Sequence, residues 1–345
     1  MHWRSKFKIF VTGLAAVLLV SCAGTATTAA RFPTRTRVWP NEPEGTDEPR
    51  IAFVQDLRGP RDVGRNPSAF RAFANWITGD TGENLNLRKP FAVALDEAGN
   101  LCLTDTDDKL VCYADFTHKQ WRRYAKVGKV RFASPVAVAR RNGIFYVADS
   151  ELGKIFAFGD DGKPLFEIAA PLQRPVGLAI DGGSLYVVDS QAHGVFVFGL
   201  DGKFQFQFGR RGDGPGEFNF PTCIAVNGRG QLIVTDTMNS RVQVFDLRGN
   251  FVSQFGSNGD TSGHFARPKG VAADSAGRIY VVDAIFDNFQ IFNPEGQLLL
   301  NVGQSGAGPG GFALPNGIAI SADNRIFVAD AFNHRVQIFK YIGQP

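Results

Sequence analysis

Six aspartates recur at matching places along the chain: Asp105, Asp149, Asp189, Asp236, Asp283 and Asp330. Carboxylates are the usual ligands of hard cations, so a repeated acid first raises the question of a metal site. The spacing argues against one. Each aspartate closes a strand-like run in a separate repeat, away from any shared axis, so the six cannot converge on one ion. An aspartate at the head of a turn has a commoner use, in which its carboxylate accepts backbone N–H groups of that turn. The five histidines are dispersed too. His2 lies in the leader, His118 near a far turn, His193 and His334 in equivalent turns of different repeats, and His264 in a connecting loop. Zinc needs nitrogen ligands at about 2.0–2.1 Å, and turns on different repeats lie far apart. No metal or other cofactor is expected.

Other reactive residue types are equally dispersed. Cys102 and Cys112 fall on neighbouring strands of the first repeat. Two readings stay open: a disulfide, which an oxidising compartment permits but adjacent strands make demanding, or two buried thiols. Cys223 takes a small-residue position on an inner strand, which fits an inert, buried thiol better than a reactive one near the channel. The glycine-rich loops at 209–216 and 303–310 suggest phosphate cradles, but no helix follows and no Gly-Lys-Ser/Thr ending occurs. Arg211-Gly212-Asp213 spells an adhesion tripeptide inside a loop where glycines already recur, so chance explains it. No Ser–His–Asp arrangement can be read from spacing. What remains is a surface. Lys89, Arg174, Arg210, Arg211, Arg267 and Lys269 fall in loops of one face, interleaved with Asp213, Glu217 and Asp260. Arg210, Arg211, Arg267 and Lys269 are the candidate contacts for an acidic ligand, glycan or protein, and a solvated rim accounts for them equally.

The elements that position these residues are legible. A proline, any residue, a small residue, an aliphatic residue and an alanine return six times, beginning at Pro90, Pro135, Pro175, Pro221, Pro268 and Pro315. The spacings of 45, 40, 46, 47 and 47 residues match one four-stranded sheet, and such a period marks a propeller or solenoid. In the fourth repeat, residues 223–226, 231–235, 241–245 and 251–255 alternate as strands a to d, with Gly and Asn in the turns. Strand a is innermost, where neighbouring blades approach most closely, and its small residues and alanines fit that crowding. The reading is an all-β, six-bladed propeller with four-stranded blades. Repeat six lacks a strand d, and an open ring exposes a sheet edge. The segment from Ile51 to Leu57 is expected to supply that strand and close the ring. Asn66-Pro67 opens a short helix, with Phe70, Phe73, Trp76 and Ile77 at helical spacing and Gly79 as its stop. It lies in the connection into blade one, as a cover for apolar surface or a cap over the channel.

The N-terminus reads as a leader. Arg4, Lys6 and Lys8 precede an apolar run of 12 residues from Ile9 to Val20, right for a signal peptide and short for a membrane span. Leu19-Val20-Ser21-Cys22 resembles the bacterial lipobox, which implies lipid attachment at Cys22; simple secretion with cleavage near Ala30 is the alternative. Ala23 after the cysteine implies the outer membrane. The domain reading is a signal peptide over 1–21, a disordered tether over 22–49 and a propeller over 50–345. The net charge of +4 falls to +1 (34 basic, 33 acidic) without the three basic leader residues. That balance excludes the basic field nucleic acid requires.

Pro268-Lys-Gly-Val-Ala, Arg278-Ile-Tyr-Val-Val-Asp283, Asn239-Ser-Arg-Val-Gln-Val-Phe245 and Asn333-His-Arg-Val-Gln-Ile-Phe339 resemble NHL repeats. The match spans about residues 85 to 342 and is weaker in blades one to three, where Arg140 and Asp107-Asp108 depart from it. The whole chain resembles the six-bladed propeller lipoproteins of bacterial envelopes. The resemblance implies binding or scaffolding more than catalysis. The reading is a monomeric propeller, held to the membrane by its lipid and acting through the loop-rich face. The partner would be another envelope protein, a small ligand or a glycan. Some NHL propellers are lyases with histidine-held zinc, so a metal-dependent lyase or hydrolase at the channel mouth is the alternative. An accessory subunit of an envelope electron-transfer complex is a third, with any redox group on its partner.

Overall fold

The computed structural model describes residues 37–40, 51–64 and 85–343. The leader, Cys22 and the helix expected from Asn66 to Gly79 lie outside these residues. Four-stranded antiparallel sheets follow one another around a ring, and their inner strands contact their neighbours in order. Blade four shows the unit, with strands at Pro221–Val226, Gln231–Asp236, Arg241–Asp246 and Phe251–Phe255. Inner strands begin at each of the six prolines read from the sequence.

The ring closes as expected. Ile51–Leu57 pairs antiparallel with Arg335–Tyr341, the third strand of blade six. Arg335 is fully buried there. Its guanidinium donates to Asp330 at 2.8 Å, to Asp56 of the closing strand at 2.9 Å and to the carbonyls of Gly308 and Gly311. The tether drawn to residue 49 needs correction. Val38–Trp39 adds a fifth strand beyond the closing one, and the Trp39 ring packs edge-on against Phe339 at 5.6 Å. A two-residue strand carries too little periodicity to be read from sequence, and its burial comes from a partner three hundred residues away.

The core is divided among the seams. Six apolar clusters each join adjacent blades, as where Val188, Val197, Ile224 and Phe245 meet between blades three and four. The small residues of strand a sit at the tightest seams. A Cβ on Gly177 would lie 3.0 Å from the carbonyl oxygen of Thr222.

The six aspartates are buried and do more than cap a turn. Asp283 accepts the N–H groups of Ala266 and Arg267 in the incoming loop, and those of Ile285 and Phe286 in the turn that follows it. Blades one, two and three repeat this pattern. In blades four and six the expected turn bonds are replaced. Asp236 accepts from Arg241 Nε, Asn239 Nδ2 and Gln243 Nε2, and Asp330 accepts from Arg335, Asn333 and Gln337. A buried carboxylate needs several donors or a cation, and these side chains supply both. The carboxylates thus tie the two loop sets of one face together.

Candidate axial funnel on the loop-rich face

The six prolines also build the centre of that face. Proline has no N–H for the ladder, and beside each one the pairing of strands a and b slips by one residue. The residue after the proline falls in the slip every time: Phe91, Val136, Val176, Thr222, Lys269 and Asn316. A bulge re-aims a side chain at a chosen point. All six line one cavity of about 500 Å³. Two residues further along each strand, about 7 Å by the rise of a strand, the wall is Val93, Val138, Leu178, Ile224, Val271 and Ile318. The cavity is therefore a mixed mouth over an aliphatic throat. Hydroxyls of Thr106, Ser150 and Ser190, each next to a stapling aspartate, add to the lining.

Charge in the funnel has one sign. Lys89, Arg174 and Lys269, from blades one, three and five, line it, and among the described residues no carboxylate does. Burial pushes the Lys269 ammonium below its ordinary pKa, and the nearby Arg267 and Arg174 add to the shift. Lys89 places its Nζ 4.9 Å from the centre of the Phe332 ring, a cation–π contact.

The four candidate basic contacts therefore separate. Lys269 lines the funnel. Arg267 lies beside it, exposed, close enough to shift its pKa. Arg210 is held in the outer loop by Glu217 at 2.8 Å, and Arg211 is exposed on the same loop; neither lines the cavity. Sequence reasoning ranked Arg210 and Arg211 by charge, and the ion pair is a product of the loop's fold. It overlooked Phe91 and Phe220 and the hydroxyls. A signal for them was present, because Phe91 and Phe220 flank two of six equivalent prolines and each hydroxyl follows one of the recurring aspartates.

The rim is chemically divided. The second residue after the stapling aspartate is Met238, Ile285 and Phe332 in blades four to six, each more than half exposed, but Asp107, Glu151 and Gln191 in blades one to three. Phe220 stands beside the apolar half with φ +49°, a conformation bulky residues rarely adopt. Its ring packs 4.6 Å from His193, whose Nδ1 lies 3.2 Å from the Phe220 N–H.

The remaining reactive groups stay apart. His118 pairs with Asp115 at 2.8 Å, His264 meets Thr261 at 3.0 Å, and His334 contacts the carbonyl of Arg88. Among the described residues no three His, Cys, Asp or Glu side chains are grouped to hold a metal ion. Cys102 and Cys112 are free thiols, which corrects the disulfide reading. Cys102 pairs with Tyr113 and Cys112 with Leu103. The two cysteines therefore project from opposite faces of the sheet, into different seams. Burial raises both thiol pKa values.

Arg140, outside the repeat pattern, has a structural explanation. It spans the first seam near the opposite face, donating to Asp96 at 2.6 Å and Asp160 at 2.9 Å, with its guanidinium 4.6 Å from the Tyr113 ring centre.

Comparison with known proteins agrees with this architecture. A family model described as a six-bladed β-propeller matches residues 170–233 and 223–285, and the NHL repeat model matches 312–339. No curated protein matches the chain. Among solved structures, a streptogramin B lyase is 14% identical with a TM-score of 0.55, over 74% of this chain and 94% of that one. A protein of unknown function from Bacteroides thetaiotaomicron is 16% identical with a TM-score of 0.56, over 74% and 70%. Hydrazine synthase of Kuenenia stuttgartiensis is 14% identical with a TM-score of 0.55, over 75% and 97%. At such identities the likeness concerns the fold alone.

Proposed function

We propose that this protein is a binding or scaffold module of the bacterial cell envelope, held to the membrane by a lipid on Cys22, which engages an anionic ligand or partner through its loop-rich face. The observation that carries this reading is the funnel. Three cations from three blades line a cavity of about 500 Å³, with no lining carboxylate among the described residues. Concave sites of this volume, with a few convergent polar groups on apolar walls, are the usual form of a ligand site. The apolar half-rim gives a macromolecular partner a flanking surface, since exposed apolar clusters mark contact sites.

The test is affinity capture from solubilised membranes, with the tagged full chain as bait. The Lys269→Met/Arg174→Ser double variant should lose captured partners that wild type retains, and Arg210→Ala should keep them. Identical capture by wild type and the double variant, with all contacts mapping elsewhere, would reject the funnel as the binding centre.

A further inference from the structure

We propose that the funnel accepts an amphipathic monoanion, a carboxylic acid with an apolar body, its carboxylate at Arg174 and Lys269 and its apolar part in the throat. The proposal rests on the reading of the loop-rich face as a binding surface, and it specifies the ligand class.

Three features of the wall select this chemistry. First, the six bulged positions hold a single cation, Lys269, beside Phe91, Val136, Val176, Thr222 and Asn316. That is one charge in a mostly neutral ring. Within that ring a polyanion would meet one counter-charge, since Lys89 and Arg174 precede their blades' prolines and line the mouth outside it. Second, the throat below is wholly aliphatic at the six deeper positions. A small inorganic anion would leave that surface wet, whereas an apolar body displaces its water, worth about 25 cal/mol per Å² buried. Third, a purely apolar ligand would further desolvate Lys269 without a counter-ion, which is unfavourable. Lys269 already sits under the positive potential of Arg174 and Arg267, and a carboxylate relieves it. Among the described residues none of these three cations has an ion pair to be broken first. Ser190 lines the wall next to Arg174, and its N–H and hydroxyl are bonded to the Arg174 carbonyl, which fixes the backbone that carries the arginine.

The experiment is photoaffinity labelling of membranes that contain the full chain. The probe is decanoic acid with a diazirine on the alkyl chain, and cross-linked peptides are mapped by mass spectrometry. Cross-links should fall on the inner strands that form the throat, and decanoate should protect them. Decanol, acetate and inorganic phosphate should not protect. Lys269→Met should reduce labelling about ten-fold or more, from loss of one charge-assisted contact. Leu178→Trp, which fills the throat, should reduce it similarly at unchanged melting temperature, and Val176→Trp serves if that variant misfolds. Protection by decanol equal to that by decanoate overturns the carboxylate assignment. Equal protection by acetate or phosphate overturns the apolar one, and cross-links mapping only to the rim or to membrane-proximal segments overturn the site. If labelling fails while the double variant still loses its captured partners, the ligand class is wrong and the binding face stands; if both fail, both are wrong.

Discussion

Gly317→Ala adds one methyl group at the seam between blades six and one. A Cβ there would lie 2.7 Å from Phe91 O, 2.8 Å from Val93 N and 2.9 Å from Ala92 Cα. All three are backbone atoms of the neighbouring inner strand, so no side-chain rotation relieves the contact. Carbon contacts are comfortable at about 3.5–4.0 Å, and the two strands must part by the difference. Overpacking of this kind costs about 1–3 kcal/mol. With an unfolding entropy of about 2.1 cal/mol/K per residue, that lowers the melting temperature by roughly 2–5 °C in a body of this size. The assay is calorimetry of wild type, Gly317→Ala and Gly183→Ala. Gly183 is the control, because a Cβ there meets nothing within 4 Å and its φ is not positive. Its alanine variant should be neutral or more stable by up to about 1 kcal/mol. If Gly317→Ala melts with wild type or above it, small residues do not set the blade spacing, and the seam argument fails.

Two further outcomes follow from buried polar groups. Arg335→Leu removes the cation beside Asp330 and the contact to Asp56, and should cost about 3–5 kcal/mol; hydrogen exchange over residues 51–57 should quicken more than in Arg241→Leu, whose network does not touch the closing strand. Cys102 and Cys112 should resist thiol reagents in the native protein at pH 8, since burial disfavours their thiolates. Both should alkylate in denaturant without reductant, and a disulfide-linked peptide spanning them would contradict the structure.

Much of the candidate site was legible in part only. Lys269 could be singled out because it follows one of six equivalent prolines. Its partners Lys89 and Arg174 were visible as charges on the right face, but nothing ranked them above Arg210, which Glu217 holds. The stapling role of Asp283 was legible for the turn after it and not for the loop before it, because that loop is distant in sequence and near only in the folded blade. Cys102 and Cys112 show the same limit. Neighbouring strands were evident, but the register that separates the thiols depends on how the turn pairs them.

The repeat alone determined the number of blades, the inner strands and the need for an early strand to close the ring. A period of 40–47 residues with small residues at fixed places admits few other packings. Tertiary structure decided where the cations meet, because convergence on an axis is a property of six blades together and of none singly. It also decided that the bulge beside each proline faces the funnel, so that one lysine in an otherwise uncharged ring stands over an aliphatic throat.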